Sequence, residues 1–265
     1  MASRPDGAAR LDWLSATALL GAVLLCYYLA PLVSLVVAQP PGAVLARLTA
    51  PEVIGAARTS LLGAGASTLL ATALGLPLSY WLARSEGRLP ALLTAVVVLP
   101  LVLPPIVSGM VLLTVVGPDT ALGSAAAAAG VPLTRSLAGV VLAQTFVASP
   151  FVVVTSKAAI EGVNPRLEHA ARSLGKRRLT TVRRVTLPLA WPGILAGITL
   201  AFARAMGEFG ATIMLAYYPR TMPVQIWVSF TTLGLDAAFP IAVVLVGLAV
   251  ATLIALETLG TNPLQ

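Results

Sequence analysis

NPRLEHAARSLGKRRLTTVRRVTLP, residues 164–188, is the one stretch built for water in a chain dominated by apolar runs. It carries seven basic residues, Arg166, Arg172, Lys176, Arg177, Arg178, Arg183 and Arg184. Asn164 suits a helix cap, and Pro165 suits the first helical position because its missing N–H would be unpaired there anyway. Leu167, Ala170, Ala171 and Leu174 fall at i, i+3, i+4 and i+7, one apolar stripe. Glu168 and Arg172 are spaced to pair across one helical turn on another face, and Gly175 suits a left-handed stop. The stretch therefore predicts a short amphipathic helix followed by a turn, on the wet side of a membrane protein.

Composition supports that setting. The chain of 265 residues is 58% hydrophobic and only 10% charged, against roughly 25% charged in a soluble domain. A net charge of +7 would suit nucleic acid, but no aromatic platform or nucleic-acid motif accompanies it. The charge instead flanks apolar runs, as the positive-inside rule requires. Cys26 is the single cysteine, so no disulfide forms within the chain. The first apolar run lacks an evident small-residue cleavage site and is expected to be retained as a span.

A bilayer core of about 30 Å needs on the order of 20 helical residues per span. Six runs qualify, about 14–38, 59–83, 89–116, 137–160, 189–217 and 237–259, in a single transmembrane domain covering 1–265. These long apolar runs do not alternate, which excludes a barrel. Arg4, Arg10, Arg84, Arg88 and the basic residues of 157–184 fall on one side, and only Arg47, Arg135 and Arg220 on the other. Both termini and the 164–188 loop are then expected in the cytoplasm. The alanine-rich segment 121–130 reads as a flexible or weakly helical external connector.

The order AAxxxG at 170–175, nine further residues, then Val185-x-Leu187-Pro188 resembles the EAA loop of the permease subunits of ABC importers. His169 stands where that pattern has Glu, with Glu168 just before it. The resemblance implies an all-α fold of six transmembrane helices, the type I importer permease fold, with a cytoplasmic coupling helix between the fourth and fifth. It implies that Leu167, Glu168, His169, Ala170, Ala171, Leu174 and Gly175 form the element that docks into a separate ATPase. Either Glu168 takes over the missing acid's role or His169 supplies a neutral hydrogen bond; a basic loop held on anionic lipid is the other reading.

The pieces LPLSYWLAR at 76–84, LPLVLPPIVSG at 99–109, LAQTFVASPFVV at 142–153 and AFARAMGEFGATIMLA at 201–216 look like permeases for tetrahedral oxyanions. They are most similar to molybdate and tungstate permeases, with sulfate permeases near behind. The implied partners are two ATPase subunits carrying ATP and Mg, a second permease copy, an extracytoplasmic solute-binding protein and the prokaryotic plasma membrane. No cofactor is expected on this chain, nor any catalytic activity of its own.

The residues themselves add candidates for a translocation path. Pro100, Pro104 and Pro105 remove backbone donors inside the third run, so their freed carbonyls need protein or water partners. The segment holding Pro104, Pro105 and the nearby Ser108 is therefore expected to face the bundle interior or an aqueous path. Arg204 and Glu208 are costly within a membrane but lie one turn apart and can neutralise each other. Counted from near Gly193, Arg204 lies roughly 17 Å along the helix, near the midplane. The pair either lines an anion path or locks the fifth span to its neighbours. A secondary transporter using Glu208 as proton carrier is the competing class, but it leaves the 164–188 loop unexplained. An intramembrane enzyme lacks the necessary Ser/His, paired-Asp or HExxH set.

Overall fold

The computed structural model describes residues 7–260, with side chains described from residue 15 to residue 255. Arg4, the side chain of Arg10 and both chain ends lie outside the described residues. The described residues contain helices and no strands. Thirteen α-helices occur among them, beginning with α1 (Gly7–Val37), α2 (Pro41–Leu48) and α3 (Pro51–Arg84). Next come α4 (Arg88–Val102), α5 (Pro105–Val116), α6 (Ala121–Ala128) and α7 (Leu137–Glu161). The basic loop holds α8 (Pro165–Ser173) and α9 (Arg178–Thr181), with a π-helical turn, Val182–Thr186, leading into α10 (Leu187–Met206). The chain continues through α11 (Gly210–Leu215), α12 (Met222–Leu233) and α13 (Leu235–Gly260).

Five helical stretches are long and apolar enough to cross a membrane: Ser15–Val37, Pro51–Arg84, Leu137–Glu161, Arg178–Met206 and Leu235–Ala255. The sixth candidate is the pair α4 and α5, bent by 118°. The third expected run is thus two helices. Pro104 and Pro105 have no N–H to give back to the preceding turn. Each also drives the residue before it toward extended backbone, and Leu103 and Pro104 adopt ψ of 134°.

The fifth expected run, 189–217, also differs. Its helix starts earlier, at Arg178, and stops at Met206, so Arg204 sits in the last turn rather than mid-helix and Glu208 lies beyond the end. Gly207 and Phe209 leave helical backbone, and α11 then continues as a separate short helix. Segment 121–130, expected as a flexible or weakly helical connector, is helical over Ala121–Ala128 (α6), capped by Thr120, whose Oγ1 accepts from the Gly123 N–H. The helix α12 occupies a region that the sequence assigns to a loop.

The centre of the bundle is α7, packed along α3 and α10 and flanked by α4, α5 and α11. Small residues allow the close approach: a Cβ at Gly197 of α10 would run into Thr155 Oγ1 of α7, which is how helices gain contact area without a hydrophobic drive between them. Ser79 Oγ of α3 donates to the Val153 carbonyl of α7 at 3.1 Å. Helix α3, at 34 residues with Arg84 as its last, runs about 50 Å, longer than an apolar layer of about 30 Å.

A second close seam joins α5 to α11. A Cβ at Gly210 would lie 2.7 Å from Pro105 Cβ and 2.8 Å from the Ile106 backbone nitrogen. Gly210→Ala is therefore expected to cost about 1–3 kcal/mol, as overpacking does, whereas Gly55→Ala, with nothing near its Cβ, should be neutral or gain up to about 1 kcal/mol. Thermal unfolding in detergent would separate the two, and equal melting temperatures would refute the seam.

Candidate functional site

Helix α8 forms as its sequence suggests. Asn164 Oδ1 accepts from the Arg166 N–H at 2.9 Å, and Pro165 opens the first turn. Its far end is closed by the Gly175 N–H to the Arg172 carbonyl at 2.9 Å and the Lys176 N–H to the Ala171 carbonyl at 3.2 Å. This is the paired closure that needs a left-handed residue, and Gly175 has φ of +79°.

The helix presents two faces. Leu167, Ala170 and Leu174 are exposed, Leu174 at 81%, with Ala171 half-buried beside them. Pro165, Glu168, His169 and Arg172 line a groove of about 980 Å³ against the end of α3, α9 and the π turn. At 100° per residue these sets point to opposite sides of the helix. The sequence-derived coupling residues are therefore divided, with Leu167, Ala170 and Leu174 facing outward and Glu168 and His169 facing the groove.

Glu168 does not pair with Arg172 as the spacing suggests. Its Oε1 accepts from Arg84 Nη2 at 2.7 Å, Arg84 Nε at 3.0 Å and Thr186 Oγ1 at 2.9 Å. Arg84 Nη2 also donates to the Val163 carbonyl at 3.1 Å. A guanidinium on the end of a long span outcompetes a neighbour on the same short helix because it delivers two donors from a fixed fork. Burial works against the Glu168 charge, but the hydrogen bonds from Arg84 and Thr186 and the charges of Arg84 and Arg172 outweigh it. The carboxyl pKa therefore lies below its ordinary value. In the sequence Arg84 is only a marker of topology, and nothing singles out Thr186; a lone Glu in a basic loop is the available signal for both.

The second constellation surrounds the two broken spans. Arg204 Nη1 stands 2.6 Å from Glu208 Oε2, and the Glu208 side chain is 1% exposed. This Oε2 has no aligned hydrogen bond, so the contact is ionic rather than a directed N–H bond. The other oxygen, Oε1, accepts from the Ala211 N–H at 2.7 Å and so satisfies a donor freed by the break. Gln144, wholly buried in α7, donates its Nε2 to the Ala205 carbonyl at 3.0 Å on the other side of the break. Sequence reasoning passes over Gln144, although an amide inside an apolar run is costly without a partner. Phe209, within the break, packs on Trp227 of α12 with ring centres 5.6 Å apart.

Pro104, Pro105 and Ser108 are brought to this region through the Pro105–Gly210 contact. Pro104 and Pro105 are exposed and Ser108 is fully buried. The hydroxyls of Ser108 on α5 and Thr212 on α11 are buried without partners. Arg204 is partly open, with exposed Ala203 and Gly207 beside it. Among the described residues no His, Cys, Asp or Glu group could hold a metal ion.

The relatives agree with this architecture. The chain is 59% identical over 263 residues to a probable molybdenum ABC transporter permease protein of Haloferax volcanii, covering 98% of this chain and 96% of that one. It is 38% identical over 253 residues to the molybdate/tungstate transport system permease protein WtpB of Pyrococcus furiosus, covering 94% and 96%. In fold it is similar to a chain of a bacterial ABC transporter involved in import of the acidic polysaccharide alginate. That similarity has a TM-score of 0.74 at 18% identity and covers 97% of this chain and 98% of that one. Residues 75–260 match the family of binding-protein-dependent transport system inner membrane components, and with its broken spans and anchored loop helix the chain belongs to that family of multi-pass membrane permeases, in the molybdate and tungstate branch.

Proposed function

We propose that this chain is the membrane-spanning subunit of an ATP-driven importer for molybdate and tungstate. In this reading α8 couples the closure of a separate ATPase to a switch between inward-open and outward-open states. The observation that carries it is the anchoring of α8: the carboxylate between its two faces is bonded to Arg84 at the end of one span and to Thr186 at the start of another. A push on the exposed Leu167–Ala170–Leu174 face reaches both spans through that one oxygen. The partner ATPase subunits supply ATP and Mg chemistry, and this chain contributes none.

The chain works with a second permease copy, two ATPases and an external solute-binding protein, its basic loop and both termini in the cytoplasm. High affinity belongs to the binding protein, and the path binds its anion weakly enough to release it. Arg204, partly open beside the break and half-neutralised by Glu208, suits such weak binding. Its charge attracts a dianion while the buried carboxylate limits how strongly the anion is held.

Reconstitution with the cognate ATPase and binding protein tests this reading. Molybdate and tungstate uptake should require ATP and exceed sulfate uptake. Uptake by the isolated chain without ATP would favour proton-coupled transport and overturn the proposal, and sulfate preference would move the substrate assignment.

Ala170→Trp should leave membrane insertion intact and weaken ATPase retention in pull-downs by about tenfold, an overpacking effect of about 1–2 kcal/mol. Arg204→Gln should retain the ATPase but lower ATP-driven uptake; unchanged uptake would leave the pair a structural role alone. Glu168→Gln should lower thermal stability by about 1.5–3 kcal/mol, the scale of hydrogen bonds to a charged group. Because the folded Glu168 pKa is lowered, its contribution is complete above the unfolded value of about 4.5 and is lost as pH falls through the lower folded value. The wild type should therefore lose more stability than Glu168→Gln on acidification below about pH 4.5, and parallel acid profiles would argue against the anchor.

A further inference from the structure

The groove on the inner face of α8 is left unused by a docking role for its outer face. Much of its lining is apolar, including Pro77 and Trp81 of α3, Leu179 of α9 and Leu187 of α10. Trp81 is 42% exposed and Leu179 62% exposed, more apolar surface than an aqueous groove would be expected to leave bare. The lining also carries Arg172 and Arg178, both exposed, and neither stands in an ion pair among the described residues. Arg84 and Glu168 also reach the groove but neutralise each other. Glu86 is the remaining carboxylate on the lining, and Tyr80 and His169 are its remaining titratable side chains. The groove thus presents a small excess of positive charge next to an indole and aliphatic side chains. It lies at the Arg84 end of the apolar stretch Pro51–Arg84 and at the Arg178 end of Arg178–Met206.

We propose that this groove binds one anionic phospholipid, its phosphate between Arg172 and Arg178 and the start of its acyl chains over Trp81 and Leu179. The combination selects the ligand. Guanidinium pairs recognise phosphate oxygens by bidentate hydrogen bonds, and an exposed Trp at the edge of the apolar layer sits naturally at headgroup level. A soluble oxyanion would use the arginines but leave the apolar lining bare. The volume of about 980 Å³ is at the top of the range for ligand clefts, about 300–1,000 Å³, and is far larger than an inorganic anion needs. A lipid seated there would fill the space under α8 between α3 and α9, and so brace the helix from the side opposite its apolar stripe.

The test uses the full-length permease, purified, delipidated and studied by native mass spectrometry with dioleoyl phosphatidylglycerol or dioleoyl phosphatidylcholine. Phosphatidylglycerol should be retained about tenfold more than phosphatidylcholine, the scale expected of two basic contacts at a membrane surface. Arg172→Gln with Arg178→Gln should abolish that preference, and Trp81→Ala should lower retention of both lipids. Arg183→Gln with Arg184→Gln removes the same charge outside the groove and should leave the preference intact. Equal losses in the two double variants would show diffuse attraction and overturn the site. So would displacement of phosphatidylglycerol by millimolar inorganic phosphate, which marks a soluble-anion site. Release of the lipid on adding the ATPase subunit would make the groove a protein interface and equally overturn the proposal. Single Arg178→Gln, with wild-type melting, guards against misfolding, and undiminished lipid preference in it would count against the assigned phosphate contact.

Discussion

One oxygen atom, Glu168 Oε1, ties the water-facing helix to the membrane bundle. It receives three donors from two spans' ends, two from Arg84 and one from Thr186. Without them α8 would be joined to the bundle by the chain on either side and by limited packing on α9 and the π turn. A nine-residue helix is too short to be stable alone in water, so its order must come from caps and from this anchor. The caps fix its ends, and the anchor fixes its rotation. Rotation is what matters for the proposed coupling role, because it determines that Leu167, Ala170 and Leu174 are the exposed residues.

Within the membrane a different constraint governs. Every backbone group freed by a break must find a partner, since lipid offers none. The two breaks, at 103–104 and 207–209, are placed against each other through Pro105 and Gly210. Around the second, Gln144 takes the Ala205 carbonyl and Glu208 takes the Ala211 N–H. Glu208 therefore serves in two ways. One oxygen completes the backbone accounting and the other faces Arg204, which also stands at the negative end of a helix. A charge pair that its spacing leaves open as a path element or a structural lock is, by its geometry, bound into the turn itself.

The fold was legible because hydropathy is a sum over many residues, and such a sum survives local irregularity. The segments that depart from expectation are those where a few residues override the sum. Apolar composition continues straight through Leu103 and Gly207, so hydropathy cannot see the breaks; the proline pair and the GEFG sequence could, but only as local signals. The cap, stripe and stop of α8 were legible for the opposite reason, since each depends on near neighbours in sequence. Partners far apart in sequence were not legible. Arg84 and Glu168 are 84 positions apart and Gln144 and Ala205 are 61 apart. Nothing in either local pattern specifies the other half.

The position of the acid on α8 follows from these geometries. The EAA-type pattern that this loop resembles has its Glu where this chain has His169, one residue after Glu168. One residue turns a helix by 100°, and although both positions line the groove, position 168 is the one whose carboxylate reaches Arg84 and Thr186. The displacement leaves an imidazole near Arg172 and commits the carboxylate to the bundle, while the other face of α8 presents Leu167, Ala170 and Leu174. In the proposed coupling role an apolar docking face needs its helix held in one orientation, because a rotation of one residue would put Arg166 in place of Leu167 and His169 in place of Ala170. The buried anchor and the apolar stripe are therefore two parts of one requirement, and neither would serve without the other.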